Sequence, residues 1–100
     1  MIDRRTAHTV GSMSIFLVER YLADIERAEL SALPARLEAA TAQLRESGIE
    51  ITYLDSTFLP EDECCFCRFD APSLHATELA NRIAGAPFSR ISSAVALEGP

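Results

Sequence analysis

One hundred residues is the length of a single domain, with a core large enough to stand alone and little to spare. A hydrophobic content of 48% beside 24% charged residues excludes an intrinsically disordered chain. A net charge of −6, with 15 acidic residues against 9 basic ones and no lysine, leaves no basic stripe for a nucleic-acid backbone. The acidity reads as solubility.

No apolar run reaches the ~20 residues that cross a bilayer, so no membrane partner is expected. The first residues lack the charged, apolar, small-residue order of a secretory signal, which makes a cytoplasmic location the expectation. Cys64, Cys65 and Cys67 are too close together for a disulfide framework. Reduced thiols fit that compartment.

Residues 1–12 (MIDRRTAHTVGS) carry charge and no periodicity, and read as a flexible extension before a domain spanning 13–98. Ser14 to Arg20 (SIFLVER) is apolar at four successive positions, too few for a helix, and its β-branched and aromatic content predicts a strand buried on both faces. Glu19 and Arg20 then point to opposite faces. From Ala28 to Ser47 the apolar residues step by three and four through Leu30, Leu33, Leu37, Ala40 and Leu44, one stripe of a helix. Pro34 leaves two solutions: Ser31 caps the helix, or a helix starting near Glu26 runs through the proline. Gly48 ends it.

Ile49 to Phe58 begins with strict alternation, Ile49, Ile51 and Tyr53 against Glu50 and Thr52, and predicts a half-buried strand. Leu59 to Asp62 is a turn, and Glu63 to Phe69 (ECCFCRF) a strand apolar on both faces. Pro72 breaks the chain and Ser73 caps a second helix with Ala76, Leu79, Ala80 and Ile83 inward. Gly85 stops that helix. Ser89 to Leu97 is the last strand, with Ile91, Val95 and Leu97 on one face.

The order β-α-β-β-α-β is the ferredoxin-like arrangement, an α+β fold with a four-stranded antiparallel sheet and two helices on one face. Its first and third strands belong in the centre, where the two runs without alternation sit. Two helices cover one sheet face only. A central pair apolar on both faces calls for a second copy of the sheet, so a homodimer is expected.

Three blocks, FLVER at Phe16 to Arg20, YLDSTFLPEDECCFCRF at Tyr53 to Phe69 and NRIAGAPFSRI at Asn81 to Ile91, carry a resemblance. Together they resemble a bacterial domain family of unknown function that includes a described nickel-binding protein. The resemblance implies a ferredoxin-like fold and pairing as dimers, and holds nickel out as a ligand without transferring a ligand set to positions of this chain.

Cys65 and Cys67 leave the same face of a strand and could grip one metal ion, while Cys64 points the other way. With an imidazole from His8 or His75, the two histidines of the chain, such a pair suits Ni²⁺ or Zn²⁺. Two thiols are half a zinc site, and free cysteines on a central strand are commonly small core hydrophobes. At the end of the sheet, Glu19, Tyr53, Asp55 and Ser56, with Arg90 or Arg68 as the cation, could share one cleft for proton transfer on a small polar substrate. An ion-pair cluster closing the sheet end is the commoner fate of such residues. The acidic turn Glu61, Asp62, Glu63 lacks the glycine spacing of a hard-cation loop.

The leading expectation is a small cytoplasmic dimeric binding protein for a transition metal such as nickel, with no organic cofactor. The alternative is a cofactor-independent small enzyme working in the sheet-end cleft. A purely structural dimer stays open beside both. An enclosed cavity lined by Glu19, Tyr53 and Arg90 would favour the enzyme.

Overall fold

The computed structural model describes residues 13–99. Residues 1–12, with His8, lie outside the described residues. In chain order come β1 (Ser14–Tyr21), α1 (Arg27–Glu46), β2 (Thr52–Leu59), β3 (Cys64–Ala71), α2 (Leu74–Ile83) and β4 (Arg90–Ala94). The sheet order is β2-β3-β1-β4 and every neighbouring pair is antiparallel. This is the ferredoxin-like arrangement, with the two predicted central strands in the centre.

One face of the sheet and the two helices enclose the core. β1 gives it Phe16 and Val18, β3 gives Cys65, Cys67, Phe69 and Ala71, and the helices add Leu33, Leu37, Leu44, Ala76 and Ala80. The opposite face carries Ile15, Leu17, Cys64 and Phe66, all half-buried within one copy. Apolar side chains on both sides of β1 and β3 are thus an observed property of the central strands.

α1 starts at Arg27, with Glu26 in the extended cap position and no side-chain cap bond, so it is the longer of the two predicted helices and runs through Pro34. Ser31 lies inside it and caps nothing. α2 starts as predicted: Ser73 Oγ accepts the Ala76 amide at 3.0 Å. Both helices end alike. Gly48 and Gly85 take φ of +95° and +66°, and the amides of Ile49 and Ala86 reach back to the carbonyls of Leu44 and Asn81, each at 3.0 Å. Arg36 of α1 donates to the Ala84 and Gly85 carbonyls at 2.6–3.1 Å. A guanidinium there meets the negative end of the α2 dipole and locks the helices together.

Two strands differ from their sequence reading. β2 begins at Thr52, three residues later than expected, because Ile49 and Ile51 lie in the loop after α1; there Ile51 is buried and its carbonyl accepts from Arg45 at 2.7 Å. A bulge at Leu54 then breaks the alternation: Tyr53 pairs with Phe69 and Asp55 with Arg68, so two steps of β2 match one of β3. β4 closes at Ala94 rather than Leu97. Its partner β1 supplies no residue beyond Ser14, and Ile15 already pairs with Ala94. Ile91 packs against the core, whereas Val95 and Leu97 are 81% and 91% exposed, so the three do not share a face. Ile83, expected inward, is also exposed.

Candidate functional site

Beneath the helices lies a polar chain inside an apolar core. Cys65 and Cys67 are 1% and 0% exposed, and their sulfurs stand 3.9 Å apart on the same face of β3. Ser56 Oγ donates to Cys67 Sγ at 2.9 Å. With its hydrogen so committed, Ser56 accepts from the Tyr53 hydroxyl at 2.6 Å. The bulge makes this chain possible, because it returns Ser56 to the inward face that Tyr53 already occupies.

Arg20 closes the chain from the other side. It is the partner of Cys65 in the β1–β3 register and is only 1% exposed. Its Nη1 donates to the Ala86 and Pro87 carbonyls at 2.9 and 3.2 Å, and its Nη2 to Asn81 Oδ1 at 2.5 Å. Asn81 is itself held by a bond from Nδ2 to the Thr77 carbonyl at 2.8 Å. Arg20 Nε is buried without a protein hydrogen-bond partner, and the Arg20 charge is near enough to act on both thiols. No aspartate or glutamate is buried among the described residues to balance this charge. The thiols respond. The hydrogen bond from Cys65 pulls the Cys67 thiol down against the upward push of burial, and Ser56 and the Arg20 charge act in the same downward sense. Cys65 is pushed up, first by giving its hydrogen to Cys67 and then by burial.

The predicted sheet-end cleft does not form. Glu19 and Arg90 meet at 3.4 Å on the open face, where Asp55 also makes a two-pronged pair with Arg68 at 2.7 and 2.8 Å. Tyr53 and Ser56 lie on the helix-covered face, so the sheet separates them from the charged groups. Strict alternation would have put Tyr53 and Asp55 together; the Leu54 bulge separates them.

His75 stands at the first turn of α2, 82% exposed and 3.9 Å from Glu78. It does not approach the buried thiols closely enough to complete a set, and no group of three or more His, Cys, Asp or Glu side chains suited to a metal occurs among the described residues. In the acidic turn, Glu63 adopts a left-handed φ of 55° and accepts from Tyr21 Oη at 3.2 Å and the Asp24 amide at 3.0 Å. It fastens two loops. Arg20 and Asn81 are the residues that sequence reasoning passed over. The available signal was parity: Arg20 continues the Phe16, Val18 series into the core.

The Asp55–Arg68 pair sets one expectation. Its hydrogen bonds hold the Asp55 carboxyl below its ordinary value, so the pair stabilises the fold above that value and the contribution is lost as pH falls through the folded one. Both side chains are about half exposed, which keeps the effect below about 1 kcal/mol. The difference in urea midpoint between wild type and Asp55→Asn should therefore be small at neutral pH and close below about pH 4. A gap that widened on acidification would show that the carboxylate is not stabilising.

Fold and site together define a ferredoxin-like α+β domain with a thiol pair and a buried arginine inside it. The family model for nickel responsive protein SCO4226-like matches residues 16–93, and the chain belongs to that family. The crystal structure of SCO4226 from Streptomyces coelicolor A3(2) superimposes with a TM-score of 0.66 at 16% identity, over 86% of this chain and all of that one. That likeness is one of fold. No curated protein matches.

The residues present can be tested against nickel. Ni²⁺ takes four or more donors, commonly nitrogen and oxygen. The buried pair offers two sulfurs beside a guanidinium that repels a dication. Cys65, Cys67 and His75 do not form a nickel site within one copy.

Proposed function

We propose that this chain is a small cytoplasmic, dimeric binding protein whose ligand is a transition metal, with nickel the candidate. The family match over residues 16–93 carries this reading. A single copy gathers no group of three metal donors among its described residues. Support for pairing lies on the open sheet face, where half-buried Ile15, Leu17 and Phe66 adjoin exposed Leu59 and Tyr21. His75, the one imidazole among the described residues, is the nitrogen donor this chain offers, and Glu78 is the carboxylate nearest to hand. The competing reading, a cofactor-independent enzyme, needs Glu19, Tyr53 and Arg90 in one cavity, and the sheet lies between them.

Sedimentation and calorimetric titration of tag-free, reduced protein test both halves of the proposal. The mass should be near twice 10.9 kDa. Ni²⁺ should bind wild type and the Cys65→Ser/Cys67→Ser protein alike, and bind His75→Ala at least about tenfold more weakly. A monomer would remove the dimer. Absence of nickel binding, or undiminished binding by His75→Ala, would remove the site.

A further inference from the structure

The thiol pair that fails the nickel test has its own chemistry. Two sulfurs leave one face of β3 at 3.9 Å, and no third ligand stands beside them among the described residues. Zinc and nickel need more ligands than two, whereas soft monovalent ions such as Cu(I) favour thiolates and are content with a pair. Charge makes the same selection. A monovalent cation on two thiolates leaves one negative charge, which the buried Arg20 guanidinium cancels; a dication would leave the guanidinium unbalanced. Arg20 Nε, 1% exposed as a residue and without a protein partner, is the donor left over for that purpose.

We propose that Cys65 and Cys67 form a buried two-coordinate site for one monovalent soft metal ion of the Cu(I) class, with Arg20 as its counter-charge and Ser56 as the hydrogen-bond donor that orients Cys67. On loading, each S–H bond breaks, two sulfur–metal bonds form, and two protons leave to solvent; the metal enters and stays as Cu(I), so no oxidant or reductant takes part. Thiolate–metal bonds are roughly 2.3 Å, so the sulfurs, 3.9 Å apart, already stand at the span of a bent unit, and parting by about 0.7 Å straightens it. Access is through the sheet edge. Tyr53 and Ser56 cover Cys67 from β2, an edge strand weakened by its bulge, whose local opening exposes the pair.

This site and the nickel reading use different residues, so each fails alone. The test is anaerobic competition between reduced, tag-free protein and the chromophoric Cu(I) chelator bicinchoninate. Wild type should withdraw one Cu(I) per chain, and so should Cys64→Ser, whose thiol lies on the open face. Cys65→Ser/Cys67→Ser should withdraw none while keeping its far-ultraviolet circular dichroism. X-ray absorption of copper-loaded wild type gives a second readout that needs no variant, and should show two sulfurs and no nitrogen or oxygen neighbour. Copper left on the chelator by wild type, equal withdrawal by the double variant, or a mixed ligand shell would overturn the assignment.

Discussion

Arg20→Met should lower stability by about 3–5 kcal/mol, a large part of what a domain of this size has. Methionine matches the aliphatic stem in length and fits the core, so packing alone predicts a mild effect. The loss comes from what stays behind. The carbonyls of Ala86 and Pro87 and the amide oxygen of Asn81 would remain under cover with their donor removed. These groups join the end of β1 to the segment between α2 and β4, so the substitution should loosen that connection first. Urea unfolding should show a lower midpoint with little change in slope. A loss under about 1 kcal/mol would mean that water satisfies those oxygens and that Arg20 does not hold the end of β1 to its acceptors.

Phe69→Ala is the other large effect, at about 3–5 kcal/mol. Phe69 lies on a central strand, is fully buried, and meets the Tyr53 ring in a tilted contact with centroids 5.5 Å apart. Removing it leaves a void between sheet and helices that neighbours on rigid elements cannot close. Phe66, three residues earlier on the same strand, is a built-in contrast because it projects from the open face. Phe66→Ala should cost the fold markedly less and, if copies pair through that face, should instead reduce the sedimenting mass. Equal folding losses at both positions would contradict the one-sided core.

The fold was legible because its signals are local and repetitive. The helical stripe of Leu33, Leu37 and Leu44, the Ser73 cap, the two terminal glycines and the unbroken apolar runs of β1 and β3 all appear within a few residues of one another. What was not legible depended on pairing. The bulge at Leu54 has no marker in the sequence, and it alone decides that Tyr53 and Ser56 face the core while Asp55 faces away. The short β4 followed from the length of β1 beside it, a property of the partner and not of Val95 or Leu97. Arg20 was passed over for a different reason. A charged residue at a strand end reads as solvent-exposed, and only the three acceptors of the distant α2–β4 segment make its burial tolerable.

The bulge in β2 also bears on how the sheet's edges resist the addition of a foreign strand. A four-stranded open sheet has two free edges, each a template onto which a foreign strand can zip. Here one edge is the five-residue β4, too short to offer much of a ladder. The other is the eight-residue β2, whose backbone is thrown out of step near its start and which runs into Pro60 just beyond its end. Neither edge presents a long, flat run of free amides and carbonyls. Amyloid-like stacking and runaway strand addition are thereby discouraged, and the proposed pairing through the sheet's broad face would close on itself where edge-to-edge addition would not.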